Sequence, residues 1–279
     1  MLVPSTVEEA VALQSALAPS VIRTPPPDFA PRTATGLDVA YAIDSPVIAA
    51  AVVTIDVATG EVLESATAVG ETEFPYVPGL FAFRELPALL TALSHLRTTP
   101  DLLVADGHGL AHPRRFGLAC HLGVVTGLPT IGVAKTPMGD YAPPAPTRGA
   151  TTPLVDQAEE VGAALRTQPQ VKPVFVSVGH KIDLPTACAL TLTLAPRYRL
   201  PETTRQADHL SRTTLKTRES RPHTYSESRP QTPRVAPPGR TSCTFRAPRA
   251  RADQHETYNS MCRGARLAVF SRATRGVGR

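Results

Sequence analysis

The alternation of apolar and polar residues changes period several times along this chain. Between residues 37 and 69 lie three short apolar runs, LDVAYAI, IAAAVVTID and VLESATAV, separated by the turn residues Asp44-Ser45-Pro46 and Thr59-Gly60. Successive β-rich runs joined by short turns predict an antiparallel meander. After Pro78-Gly79 the spacing becomes helical: Phe81, Phe83, Leu86, Leu89, Leu90, Leu93 and Leu96 share one face of FAFRELPALLTALSHL. Pro87 falls early enough in that helix to be tolerated near its first turn. DLLVAD then reads as a buried strand, Pro113 as the start of a helix running through GLACHLGVVTG, and PTIGVAK as another strand. The order βββαβαβ predicts an α/β fold, a mixed sheet flanked by helices.

Both ends of the chain differ from this body. Ser5 stands three residues before Glu8, the spacing of a capping box, and predicts a short helix from Val7 to about Leu17, a lead-in that ends before RTPPPDFAPR. Residues 139–153 read as a Pro/Gly/Ala/Thr loop, followed by the strand candidates VGAALRT and KPVFVSVG and the helix candidate LPTACALTLTLA. The folded body, residues 1–210, ends there. Residues 211–279 are rich in Arg, Thr, Ser and Pro, show no period and have too little apolar surface to offset the entropy of ordering, so a disordered tail is expected.

Charge follows the same division. Residues 1–210 hold 14 Lys/Arg against 20 Asp/Glu, a balance of −6, whereas 211–279 hold 15 against 4, giving +11. The basic total therefore belongs to the tail, either a polycationic arm or an extension that arose without selection for folding, and any grip on nucleic acid in the body must be local. The four cysteines, Cys120, Cys188, Cys243 and Cys262, show no CxxC spacing, and the acidic N-terminus is unlike a signal peptide. These features, with no stretch long enough to span a bilayer, predict a soluble cytoplasmic protein without a membrane partner.

Candidate chemistry begins with three acids: Asp38 in the first strand, Glu85 on the first long helix and Asp106 closing DLLVAD. Converging, they suit one magnesium ion, which prefers oxygen ligands and keeps open positions, polarises phosphate and activates water. Taken singly, each is more simply a solvated carboxylate or a cap. Asp106 is the most informative, because it runs into Gly107-His108-Gly109, where the missing Cβ atoms permit close approach to a ligand. His108 and His112 have the i,i+4 spacing of zinc-binding helices, but Gly109 and Pro113 argue against a helix there and favour a metal-free role for both. Phosphate-loop, GxSxG and strand–GxGxxG–helix patterns are absent from the sequence.

In order and spacing, LDVAY (37–41), PYVPGLFAFRELPALL (75–90), PDLLVADGHGLAHPRRFGLACHLG (100–123), PTIGVAK (129–135), SVGHKIDL (177–184) and RLPETTRQAD (199–208) resemble the endonuclease V family. The likeness spans roughly residues 5–210. It implies a ribonuclease-H-like fold and metal-assisted hydrolysis of the second phosphodiester bond 3′ to deoxyinosine in DNA, leaving 3′-hydroxyl and 5′-phosphate ends. By that resemblance Asp38, Glu85 and Asp106 hold magnesium, for which manganese can substitute, Asp208 is a further catalytic acid, and Lys135 meets the scissile phosphate. Tyr76 corresponds to a wedge filling the gap left by the extruded base, while Gly79, Phe81 and Gly107 surround that base. His112 and His180 match histidines of the DNA-binding cleft. The sequence departs from relatives at Phe81-Ala82, where an aliphatic residue and a serine are usual. Other readings are a noncatalytic binder of deaminated or branched nucleic acid, and a nuclease for inosine-containing RNA; a monomer is the default.

Overall fold

The computed structural model describes residues 4–219. In chain order these form α1 (Val7–Leu17), β1 (Thr33–Tyr41), β2 (Val47–Asp56), β3 (Val62–Glu71), α2 (Ala82–Ser94), β4 (Leu102–Ala105), α3 (Leu118–Thr126), β5 (Thr130–Ala134), β6 (Thr151–Asp156), β7 (Glu159–Leu165), β8 (Val174–His180), α4 (Leu184–Leu194) and α5 (Glu202–Glu219). One eight-stranded sheet runs in the order β3-β2-β1-β4-β5-β8-β7-β6. The first three strands are the antiparallel meander anticipated from the apolar runs. Strands β4 and β5 continue the sheet parallel to β1, and β8, β7 and β6 complete it antiparallel. No helix among the described residues is long and apolar enough to cross a membrane.

Alternation along β1 separates two layers. Leu37 faces Leu86, Leu89 and Leu103 in a core shared with α2 and α3, while Ala34 joins Val104, Ile131 and Ala207 in a second core on the side of α5. Strand β2 is buried from Ile48 to Ile55, as expected of a strand covered on both faces, whereas β3 at the sheet's edge leaves Val62 and Leu63 exposed.

Four local expectations are corrected. The capping box lies one residue further on: the Thr6 side chain accepts from the Glu9 N–H and the Glu9 carboxylate accepts from the Thr6 N–H. This phase turns Ala10 and Gln14 inward. Helix α3 begins at Leu118, not Pro113. Arg115 takes a left-handed φ of 55° and its guanidinium pairs with Asp156 at 2.8 Å and Glu159 at 2.7 Å, so residues 111–117 form turns tied to the β6–β7 hairpin. Within the expected loop 139–153, β6 starts at Thr151; its Pro153 is tolerated because β6 is an edge strand paired only with β7. The turn between them, Gln157-Ala158, has φ of 52° and 64°, the geometry of a type I′ hairpin without its usual Asn-Gly signal.

The fourth concerns the last element. Helix α5 passes through residue 210 and ends at Glu219, burying Thr203, Thr204, Ala207, Ser211 and Leu215. Its inward face is small and polar, which lets it approach the sheet closely. A Cβ on Gly36 of β1 would lie 2.2 Å from the Thr203 carbonyl carbon. The tail expected to be disordered lies, from residue 220 onward, outside the described residues.

Gly36→Ala should therefore push α5 off the sheet and cost about 1–3 kcal/mol of overpacking. Urea unfolding checks this; an unchanged midpoint would mean that α5 is not seated on β1.

Candidate active site

Asp38 and Asp106 are brought together by strand register. The parallel pairing of β1 and β4 ends at Leu37↔Ala105, so the next residue on each strand is an aspartate, and the Asp106 N–H reaches the Leu37 carbonyl at 3.4 Å. Asp38 lies on the Gly36 face of β1, beneath α5. There the Ser211 hydroxyl donates to Asp38 Oδ2 at 3.3 Å and to the Asp208 carbonyl at 3.0 Å, though one proton serves only one of them at a time. Glu85, in the first turn of α2, accepts from the Tyr41 hydroxyl at 2.9 Å. Lys135, just past the end of β5, places Nζ 2.5 Å from Asp106 Oδ2.

These groups share one electrostatic neighbourhood. Burial, and then the negative charges of Asp106, Asp208 and Glu85, push the Asp38 carboxyl up to about 8 against the pull of Lys135. Burial likewise lifts Glu85 to about 7, assisted by Asp106 and opposed by the Tyr41 hydrogen bond and Arg84. Burial works against the Lys135 ammonium, but its hydrogen bond to Asp106 and the charges of Asp106, Asp38 and Asp208 hold it above the ordinary value. Asp38, Asp106 and Asp208 thus surround the Lys135 ammonium, with Glu85 beside Asp38 and Asp106, and the Arg212 guanidinium pairs with Asp208 at 3.0 Å. Such an excess of hard oxygen donors suits a divalent cation such as magnesium. No three ligating side chains among the described residues already stand at metal-ligand spacing, so the fit is one of donor chemistry and charge.

A Pro-Gly turn preceded by an exposed aromatic lies near the start of α2, which carries Glu85. Val77-Pro78-Gly79-Leu80 forms a turn closed by Leu80 N–H to Val77 O at 2.9 Å, with φ of 80° at Gly79, the type II arrangement that Pro-Gly favours. Tyr76, immediately before it, is 76% exposed and so is not a core aromatic. Phe81 caps α2, and its ring edge is 3.6 Å from where a Cβ on Gly107 would stand, so Phe81, Gly107 and Leu118 adjoin.

The two histidines assigned by resemblance part company. His112 is buried, and that burial, with a smaller push from the nearby Arg114, brings its imidazole down to about 4 despite the bond to Gly79. The neutral ring donates from Nε2 to the Gly79 carbonyl at 2.9 Å and accepts at Nδ1 from the Arg114 N–H at 3.2 Å. It braces the turn from within. His180 ends β8, paired in register with Thr130 at the start of β5, and its Nδ1 accepts from the Ile22 N–H. Lys135 follows the other end of β5, so His180 stands about 15 Å away along the strand, apart from the carboxylates.

Four neighbours of the site escaped the sequence reading: Gln14, Tyr41, Arg199 and Ser211. Arg199 donates from Nη2 to the Lys135 carbonyl at 2.6 Å and steadies the loop that carries the lysine. Tyr41 and Arg199 had a signal, since they close and open two of the runs that carry the resemblance, LDVAY and RLPETTRQAD; Gln14 and Ser211 had none.

The sequence profile of the Endonuclease V family matches residues 15–209. An endonuclease V of Nocardia farcinica is 60% identical over 215 residues, covering 76% of this chain and 94% of that protein. The crystal structure of the endonuclease V from Streptomyces avermitilis superposes with a TM-score of 0.75 at 57% identity, covering 78% of this chain and 96% of that one. The Ciona intestinalis endonuclease V, in complex with a 24mer DNA containing an inosine followed by a ribo-adenosine, gives 0.67 at 27% identity over 76% and 98% of the respective chains. The mixed sheet with its flanking helices is the ribonuclease-H-like fold anticipated from the motifs. With the profile spanning from the end of α1 to the turn of α5 that carries Asp208, the chain belongs to the endonuclease V family and is a nuclease.

Proposed function

We propose that this protein is a DNA repair endonuclease that nicks the second phosphodiester bond 3′ to a deoxyinosine. The observation that carries this reading is the adjacency of Asp38 and Asp106 at the ends of β1 and β4, with Glu85, Asp208 and Lys135 around them. The inosine-containing DNA held by the Ciona intestinalis relative supports the choice of substrate.

Asp38, Glu85 and Asp106 would hold magnesium, or manganese in its place. Bound there, the ion would polarise the scissile phosphate and lower the pKa of the attacking water. Lys135 places its ammonium where it offsets the charge that builds on the phosphate oxygens. The water oxygen bonds to phosphorus, the P–O3′ bond breaks, and the departing 3′ oxygen takes a proton from a solvent water, giving 3′-hydroxyl and 5′-phosphate ends. Asp208, near Asp38 and paired with Arg212 at 3.0 Å, takes up the proton that the water loses. The exposed Tyr76 ring fills the stack vacated by the extruded base, and Gly79, Phe81 and Gly107 enclose that base. A backbone N–H directed at the hypoxanthine O6 favours it over adenine, which carries an amine there.

Nicking of a duplex with one deoxyinosine should require Mg²⁺ and fall by about a hundredfold or more in Asp38→Asn, Glu85→Gln and Asp106→Asn, with lesion binding retained in chelator. Undiminished cutting in all three would reject the assignment; an inosine-RNA strand in the same assay tests the preference for DNA. Tyr76→Ala should weaken lesion binding without moving Tm, because an exposed ring contributes little to the core; a shifted Tm with unchanged affinity would contradict the wedge role. Asp38 also makes a stability statement. In the unfolded chain its carboxyl ionises near the ordinary value of about 3.9, whereas in the fold it ionises near 8. Without metal this group therefore costs stability increasingly as pH rises from about 4, levelling off above about 8. Asp38→Asn in chelator at neutral pH should raise Tm by about 2–4 °C, and a fall would show that the charge is compensated.

A further inference from the structure

One backbone carbonyl near the site is held far more firmly than burial requires. The Gly79 oxygen accepts from Gln14 Nε2 at 3.1 Å, His112 Nε2 at 2.9 Å and Arg114 Nη2 at 3.0 Å. A carbonyl offers two lone pairs, so one or two donors would satisfy it. Gln14 comes from α1, the short helix ahead of the sheet. Its side chain is fully buried; Nε2 also reaches the Phe116 carbonyl at 3.0 Å and Oε1 accepts from Arg114 Nε at 2.6 Å. By contrast, the Gly79 N–H has no partner among the described residues. A Cβ at Gly79 would sit 3.1 Å from both Arg114 Nη2 and His112 Nε2, so the clamp also leaves little room for a side chain there.

We propose that Gln14, acting with Arg114, is a positioning residue for lesion recognition: it fixes the Gly79 carbonyl inward so that the Gly79 N–H stays presented to the base. This rests on the deoxyinosine reading above. Through Phe116 the same amide ties the Pro78-Gly79 turn to the 107–117 segment, whose first neighbour is Asp106. The recognition turn and a catalytic carboxylate are thereby held at one spacing. Loss of the amide donors would leave the Gly79 carbonyl on His112 and Arg114 alone and cut the turn's link to Phe116, loosening the hold on the deaminated base while leaving the carboxylates and Lys135 as they are.

The test uses the full chain and duplexes with and without one deoxyinosine, measuring Kd by fluorescence anisotropy in EDTA and kcat and KM with Mg²⁺. Gln14→Met should raise Kd and KM for the inosine duplex about tenfold, with kcat and the Kd for undamaged duplex unchanged. Gln14→Glu keeps the Arg114 contact but not the amide donors and should shift in the same direction, which covers failure of the first variant to fold. Thr6→Ala loosens α1 at its cap without touching the clamp, and should lower Tm while leaving inosine affinity alone. Inosine affinity unchanged in both Gln14 variants, or lost equally for both duplexes, would overturn the proposal, as would a fall in kcat at constant KM. A wild-type chain that binds inosine selectively but does not cut would sink the nuclease mechanism and leave the clamp standing on its Kd; one with no selectivity would sink both.

Discussion

How near a helix can come to a sheet depends on the side chains between them, and at the crossing of α5 over β1 there is almost nothing between them. Gly36 contributes no Cβ, and α5 presents threonine, alanine and serine to the strand. Much of the site follows from that contact. It brings Asp208 beside Asp38, and it buries Asp38 under a helix, which is the main reason its carboxyl holds a proton so tightly. A leucine-lined helix at this place would form a thicker layer and leave the two acids further apart.

The resulting cluster is costly to the isolated fold. Carboxyl groups that repel one another are assembled at the ends of β1 and β4, with Lys135 as the closest compensating charge. The surrounding structure over-determines their positions: the pairing of β1 with β4 sets Asp38 and Asp106, the first turn of α2 sets Glu85, and Arg199 holds the backbone of Lys135. Strain of this kind is common where a protein binds charge, and it is released when the ligand arrives.

The parts of this architecture legible in the sequence were those with a strong period or a local motif. The meander, α2 and the buried strand before Asp106 have apolar spacing that few alternatives share. Asp38, Glu85 and Asp106 were found because all three close or occupy such elements, whereas Asp208 rested on the resemblance alone. Helix α5 was harder to see, since its buried stripe of Thr203, Ala207 and Ser211 is not hydrophobic, and burial there serves close approach and not apolar transfer. Strand β6 was hidden by Pro153 and by a hairpin turn built from Gln157 and Ala158. The start of α3 was misplaced because ion pairs from Arg115 to a distant hairpin outweighed the local preference at Pro113. His112 has a meaning only tertiary structure supplies: its partner is a carbonyl 33 residues away.

The family profile and the last described helix end at different places in this chain. The family profile stops at residue 209, yet α5 continues to Glu219 and buries Ser211 and Leu215 beyond that limit. Ser211 supplies the hydroxyl beside Asp38. A domain boundary drawn from the profile would thus cut a helix in mid-course and remove a hydrogen-bond donor from the carboxylate site. A fragment cut at the profile's edge would bare the face of β1 that Ser211 and Leu215 cover, one full helical turn and more past Asp208.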